Sequence, residues 1–158
     1  MKLHVRTTVN GEETEFLCAA ERSLLDALRE ELQLTGTKEG CATGDCGACS
    51  VLLDGRLANA CLLPLGRVDG SAVVTMAGVR DTPRGRTLVE AFAREGAVQC
   101  GFCTPGLVMA AEALLSADPA PDEQAIRVGL SGNLCRCTGY ETVVRAVAAA
   151  AREGGGRW

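Results

Sequence analysis

The sequence predicts an α+β protein, with a small sheet in the first half of the chain and a group of helices in the second. In the first half, β-prone runs flank the turn pairs Asn10-Gly11 and Asp54-Gly55, which are typical of tight hairpins. In the second half the apolar spacing becomes helical, and glycines and prolines divide it into four segments. The 158 residues are enough for one domain or for two small ones.

The first half reads as two hairpins, a helix and a final strand. Ser23 is placed to cap an amphipathic helix that runs to Leu32, with its leucines on one face. The second hairpin is expected to end at Cys61. The expected strands cover residues 3–9, 14–18, 50–53, 57–61 and 73–76. A helix lying over such strands makes a small α+β sheet domain, which we expect to span residues 1–76.

Residues 77–86 are expected to be a linker, because they contain Gly78, Pro83, Gly85 and three arginines. The four helices expected after it cover residues 88–95, 105–116, 122–130 and 140–152. Four helices in so short a stretch predict a compact four-helix bundle over residues 87–153. The glycine-rich residues 154–158 are expected to be a disordered tail.

Composition excludes several functions and frames the role of the cysteines. A net charge of −4 without any basic run argues against a nucleic-acid partner. No apolar run is long enough to span a membrane and no secretory signal is recognised, so we expect the protein in the cytoplasm. Nine cysteines in that reducing compartment do not suggest disulfides. A single histidine excludes a histidine-rich site and a Rieske centre.

Three cysteines stand in one tight loop, and a fourth follows at a distance. We call Cys41, Cys46, Cys49 and Cys61 the first cysteine set. The spacing Cys-x4-Cys-x2-Cys with a distant fourth cysteine is the plant-type pattern for a [2Fe–2S] cluster. Since no proline lies between Cys41 and Cys61, every backbone N–H there is free to approach a sulfur atom. The expected sheet domain matches the small fold of plant-type (β-grasp) ferredoxins.

Four more cysteines stand at the heads of the second and fourth expected helices. We call Cys100, Cys103, Cys135 and Cys137 the second cysteine set. Each pair is followed by threonine, a weak internal echo that predicts two helix N-termini facing one cluster. Structural zinc or reduced core thiols remain alternatives for either set, although Cys-x-Cys is tight for a zinc site. Cys18 is left over and is expected to be a buried small hydrophobe.

Three motifs together resemble one family. They are the first cysteine set, the segment Gln99-Cys-Gly-Phe-Cys-Thr-Pro-Gly106, and the segment Gly132-Asn-Leu-Cys-Arg-Cys-Thr-Gly-Tyr140. In this order they resemble the small iron–sulfur subunit of the molybdenum hydroxylases, which include xanthine dehydrogenases, carbon monoxide dehydrogenase and aldehyde oxidoreductases. The resemblance extends to about Arg152.

The resemblance implies an electron-transfer subunit of an oxidoreductase, with no substrate chemistry on this chain. It makes the first cysteine set the ligands of a [2Fe–2S] cluster near the flavin, and the second set those of a cluster near the molybdopterin. It places Gln99 and Cys137 in contact with the pterin. It further implies a large molybdopterin subunit, a medium FAD subunit and a dimer of heterotrimers, with single electrons passing from molybdenum to FAD or to an external acceptor.

Two other functions remain open at the level of sequence. One is a stand-alone two-cluster ferredoxin that docks a separate reductase, and the other is a zinc-stabilised interaction module. If the chain has a permanent partner, we expect an apolar surface around the second cysteine set. If it is a free ferredoxin, we expect an acidic surface there. Arg136, between two cysteines, is expected to form a salt bridge with a partner, to tune a cluster or to be a solvated charge. The sequence of this chain does not indicate the substrate of the assembled enzyme.

Overall fold

The computed structural model describes residues 2–19 and 21–158, and these form a mixed sheet with helices, as the α+β prediction requires. The strands are β1 (Lys2–Val9), β2 (Glu12–Ala19), β3 (Ser50–Leu53), β4 (Arg56–Asn59) and β5 (Ala72–Val74). Their order in the sheet is β2-β1-β5-β3-β4. β5 is parallel to β1, and the other neighbouring pairs are antiparallel. The last strand in sequence therefore lies at the centre of the sheet.

Both predicted hairpin turns are present. Asn10 and Gly11 have φ of 53° and 85°, and Asp54 and Gly55 have φ of 50° and 78°. Positive φ at both central residues is the requirement of the turn that matches the twist of paired strands. β1 accordingly pairs with β2 over its full length, from Lys2 opposite Ala19 to Val9 opposite Glu12.

A short helix covers the sheet, but it is not the uninterrupted α-helix that the sequence predicted. Ser23 caps it as expected, its hydroxyl accepting the Asp26 N–H at 3.1 Å. The α-helical part, α1 (Leu24–Asp26), continues as a π-helical turn, Ala27–Glu31. The leucine stripe cannot distinguish an α-turn from a π-turn over so few residues. The stripe still forms core, because Leu24, Leu25 and Leu28 are buried.

The second half contains five helices that share one core. They are α2 (Met76–Val79), α3 (Pro83–Arg94), α4 (Thr104–Ala117), α5 (Glu123–Gly129) and α6 (Glu141–Gly154). Thr82 caps α3 and Asp122 caps α5, each accepting a backbone N–H three residues on, at 3.0 and 2.7 Å. The core is aliphatic and rich in alanine, with Phe92 its largest side chain. No helix in the described part of the chain is long and apolar enough to cross a membrane.

Four details differ from the sequence-based expectation. The expected linker, residues 77–86, holds most of α2 and the first turn of α3. The last strand ends at Val74, and Met76 begins a helix. β4 ends at Asn59, so Cys61 lies in a 3-10 turn, Ala60–Leu62. The tail is not extended, because Trp158 packs against the helical core.

Candidate metal centres

The first three cysteines lie in the loop between the π-helical turn and β3, and backbone N–H groups approach the sulfur atoms of two of them. The amides of Thr43 and Cys46 each lie 3.4 Å from Cys41 Sγ, and the Ala48 amide lies 3.5 Å from Cys46 Sγ. The loop achieves this wrapping with positive φ at Gly44 (84°) and Gly47 (69°). The predicted approach of amides to sulfur is therefore present.

Two sulfurs of this set, those of Cys41 and Cys49, differ in their electrostatic surroundings. Hydrogen bonds from the side chain and amide of Thr43 and from the Cys46 amide lower the pKa of Cys41 to about 6. Burial raises the pKa of Cys49 to about 12, and the adjacent Cys61 thiol adds to the rise. Metals bind the thiolate form of cysteine. The hydrogen-bond donors at Cys41 stabilise its thiolate before any metal binds, whereas the Cys49 thiol requires a nearby cation to ionise.

The second cysteine set is brought together from two loops of the helical half. Cys103 immediately precedes α4, at whose first turn Pro105 stands. Cys137 lies four residues before α6, so only one of the two expected helix N-termini begins directly at a cysteine. The sulfurs of Cys100 and Cys137 lie 3.6 Å apart. Burial, together with the neighbouring Cys135 thiol, raises the pKa of Cys103 to about 12.

The thiols approach one another in pairs, which provides a test of whether a two-iron cluster fits. The pairs in contact are Cys49 with Cys61, Cys103 with Cys135, and Cys100 with Cys137. A tetrahedral metal with bonds of about 2.3 Å to sulfur holds two thiolates about 3.8 Å apart. The 3.6 Å between the sulfurs of Cys100 and Cys137 is close to this value. Within residues 2–19 and 21–158 no three potential ligands meet tightly enough for a single ion. Pairs of thiols suit two irons, each bound by two cysteines.

Thr138 and Tyr140 hold the loop around Cys135. The Thr138 hydroxyl lies 3.1 Å from Cys135 Sγ, and its amide lies 3.5 Å from the same sulfur. The Cys135 amide donates to the Tyr140 hydroxyl at 2.7 Å, with Tyr140 at φ 70°. Burial opposes ionisation of Cys135, but the hydrogen bonds from Thr138 outweigh it and lower the pKa of this thiol to about 7. Neither role was predicted, although the repeated Cys-Thr pair was a signal for Thr138.

An open cleft of about 550 Å³ exposes the second set to the surface; among its lining residues are Arg136 and Tyr140. Cys100 and Cys137 are exposed, as is Gln99 beside them. Three large apolar side chains stand nearby, and we call them the apolar rim: Val98, Phe102 and Leu134, exposed at 42%, 47% and 56%. Among the described residues, the cleft is lined by no carboxylate. This surface is apolar rather than acidic.

The loops that carry the two sets touch each other directly. The Leu134 amide donates to the Cys46 carbonyl oxygen at 2.8 Å, and Leu134 precedes Cys135 in the chain. The buried side chain of Asn133 donates to the Gly47 carbonyl oxygen, also at 2.8 Å. Sequence reasoning assigned no role to Asn133, because its partners lie more than eighty residues away.

Comparisons with known proteins agree with this arrangement. A family model described as a 2Fe-2S iron-sulfur cluster binding domain matches residues 7–68, and one described as a [2Fe-2S] binding domain matches residues 75–148. Quinoline 2-oxidoreductase from Pseudomonas putida 86 contains a structurally similar chain, with a TM-score of 0.92 and 40% identity over 99% of this chain and 97% of that one.

Relatives of similar length are named as iron–sulfur subunits or as subunits of dehydrogenases. The nicotinate dehydrogenase small FeS subunit of Eubacterium barkeri is 42% identical over 92% of this chain and 93% of its own length. A probable xanthine dehydrogenase subunit of Bacillus subtilis is 45% identical over 99% and 90%. The aldehyde oxidoreductase of Megalodesulfovibrio gigas, 44% identical over 91% of this chain, contains the same region as 16% of a longer protein. The chain therefore belongs to the small iron–sulfur subunits of the molybdenum hydroxylases, the electron-transfer subunits of these oxidoreductases.

Proposed function

We propose that this chain carries electrons between two partner sites through two [2Fe–2S] clusters, one held by each cysteine set. The first set, Cys41, Cys46, Cys49 and Cys61, would hold the cluster nearer the flavin. The second set, Cys100, Cys103, Cys135 and Cys137, would hold the one nearer the molybdopterin. The distance between the sulfurs of Cys100 and Cys137, close to that required by one tetrahedral metal, supports the assignment of the second set. The contact of Cys49 with Cys61 supports that of the first. When bound, each cluster accepts and releases one electron.

We assign the two sets to two domains. Residues 1–76, with the five strands and the helix over them, correspond to a ferredoxin-type β-grasp domain. Residues 87–153 correspond to a helical domain in which α3, α4, α5 and α6 form a four-helix bundle. The connection 77–86 holds most of α2 and the first turn of α3 and leads into the helical domain, which residues 154–158 follow.

The observation that carries the proposal is the apolar rim around exposed thiols. Phe102 and Leu134 are about half exposed beside Cys100 and Cys137, and such side chains cost free energy in water unless a partner covers them. A free ferredoxin that meets its reductase transiently needs a wet, charged surface there instead. The rim therefore favours a permanent partner, and in this family that partner is the large molybdopterin subunit.

Two exposed residues support a proposed contact with that partner's cofactor. Gln99 is exposed and adjoins Cys100, which lines the cleft, and its side-chain amide can donate and accept hydrogen bonds. Cys137 presents an exposed sulfur on the same side. We propose that both contact the pterin, and that a medium subunit with FAD lies near the first set. We further propose that the complex is a dimer of heterotrimers. The nine cysteines form no disulfide among the described residues, which suits the reducing cytoplasm, where we place the complex.

The metal content of the complex purified from its native host tests the proposal. We expect four irons per chain, two for each [2Fe–2S] cluster, together with molybdenum and FAD. Molybdenum without FAD would remove only the flavin subunit from the proposal. Four irons without molybdenum would instead support the stand-alone ferredoxin, and zinc in place of iron would contradict both.

The rim itself is tested by Phe102→Asp, with Val128→Asp on α5 as the matched control. Val128 is the more exposed of the two, at 62% against 47%, and lies outside the rim. We expect Phe102→Asp to reduce the amount of large subunit that copurifies, while iron content stays the same. Equal recovery of the large subunit with both variants would contradict the assignment of the rim.

A further inference from the structure

Asn133 lies where the two cysteine loops meet. Its side chain is buried, with 4% of its surface exposed. The amide nitrogen Nδ2 lies 2.8 Å from the Gly47 carbonyl oxygen and 3.1 Å from the Ser50 hydroxyl. Both acceptors belong to the first half of the chain, whereas Asn133 stands two residues before Cys135. The two hydrogens of one buried amide are therefore both used to connect the halves.

The Gly47 carbonyl oxygen is the centre of a small buried network. It accepts the Ser50 hydroxyl at 2.7 Å in addition to the Asn133 amide. A Cβ atom on Gly106 would stand 2.5 Å from this oxygen, and one on Gly47 would stand 2.4 Å from the Gly132 carbonyl oxygen. The loops thus meet backbone to backbone, with Asn133 as the side chain that joins them. A polar network closed in this way admits little relative movement.

We propose that Asn133 is a positioning residue that sets the distance and register between the two cysteine loops, and with them the electronic contact between the two clusters. This inference rests on the proposed ligand assignment. The Cys46 carbonyl oxygen accepts the Leu134 N–H at 2.8 Å, so a chain of covalent bonds and one hydrogen bond joins a cysteine of each set. Asn133 precedes Leu134, and anchoring its side chain fixes the peptide that makes this bond. Electron transfer weakens steeply when such a contact opens.

The test uses the assembled complex and the variants Asn133→Ala and Asn133→Asp. Aspartate keeps the shape of the side chain but has no N–H for Gly47, so it separates loss of the donor from loss of volume. Asn59→Ala is the matched control, because Asn59 Nδ2 also donates to a glycine carbonyl of the first loop, that of Gly44, at 2.8 Å. Its bond stays within the first half.

The readout is the magnetic splitting between the two reduced clusters in low-temperature electron paramagnetic resonance, which depends on their separation. Losing the buried donor raises the population of the opened contact by roughly 5- to 150-fold. We expect both Asn133 variants to broaden or lose the splitting and to slow electron equilibration between the clusters. Asn59→Ala should keep the splitting. Equal splitting in all variants would overturn the role of Asn133.

Ser50→Ala covers the case in which the Asn133 variants do not accumulate. It removes one acceptor of the amide and one donor to Gly47, while the Asn133 bond to Gly47 remains. We expect a partial loss of splitting, and an unchanged splitting would overturn the proposal. A parent complex without two cluster signals would overturn the ligand assignment as well, which distinguishes failure of the proposed function from failure of the inference alone.

Discussion

Replacing Thr138 by valine removes one hydroxyl donor from the second cysteine set and keeps the branched shape of the side chain. The hydroxyl lies 3.1 Å from Cys135 Sγ, nearer than the Thr138 amide at 3.5 Å, which the substitution leaves in place. Hydrogen bonds to ligand sulfurs are one of the means by which a protein sets the reduction potential of an iron–sulfur cluster. We expect the variant to lower the potential of the second cluster.

The size of the shift follows from the strength of one such bond. A net hydrogen bond contributes about 0.5–1.5 kcal/mol, and the bond is strongest when the cluster carries its extra electron. A tenfold change in a one-electron equilibrium corresponds to about 59 mV. If the whole contribution falls on the reduced state, Thr138→Val lowers the midpoint potential by roughly 20–60 mV.

A redox titration followed by electron paramagnetic resonance measures both clusters in one sample, so the first cluster is the internal reference. Thr138→Ser is the control, because it keeps the hydroxyl, which also accepts the Tyr140 N–H at 3.2 Å. We expect serine to retain most of the parent potential. An unchanged or higher potential in Thr138→Val would refute the reasoning, and so would an equal shift of both clusters.

Three further predictions concern single residues elsewhere. Cys61→Ser should remove or alter the first cluster's signal and leave the second nearly intact; loss of both signals would contradict separate ligand sets. Gln99→Ala should leave the iron content unchanged and lower turnover of the assembled enzyme, and unaffected turnover would contradict the pterin contact. Arg84→Met should destabilise the chain by about 1–3 kcal/mol at neutral pH, because it leaves the buried Glu112 carboxylate without its cation. Burial raises the pKa of the Glu112 carboxyl, and Arg84 opposes that rise. Without Arg84 the folded pKa of Glu112 should lie further above its unfolded value. The variant's free energy of unfolding should therefore decrease as pH rises from the usual carboxylate pKa to the raised folded value. Thermal unfolding at pH 5 and pH 8 measures this, with Arg80→Met, from an exposed pair with little expected effect, as the control.

Features that depend only on a few neighbouring residues could be predicted from the sequence. Asn10-Gly11 forms its hairpin turn, and Asp122 caps its helix, because the required conformations depend on those residues alone. The spacing of the cysteines indicated a plant-type loop. It could not predict that Cys49 and Cys61 are the thiols in contact. Residue types and their local spacing therefore predicted most of the residues of the candidate site.

Features that depend on distant partners were missed. Gly85 indicated a linker, yet a Cβ there would stand 1.8 Å from the Val79 carbonyl oxygen, so this glycine allows α2 and α3 to pack closely. Pro83 stands in the first turn of α3 behind the Thr82 cap, where proline favours a helix. Gly155 has φ 56° and ends α6, after which Trp158 packs on the core. From the sequence, these glycines and prolines predicted a linker and a disordered tail, because the local sequence does not show which residues pack against them.

The internal echo of two Cys-Thr pairs shows how a correct pattern can mislead about mechanism. Thr104 and Thr138 occupy matching places, but α4 begins at Thr104, whereas α6 begins three residues after Thr138. Among the described residues the buried Thr104 hydroxyl has no hydrogen-bond partner, whereas the Thr138 hydroxyl contacts a cysteine sulfur. The second set therefore meets one helix N-terminus and one loop of discrete donors. Because a macrodipole acts only near its own first turn, the potential of the second cluster should depend more on Thr138 than on the N-terminus of α6.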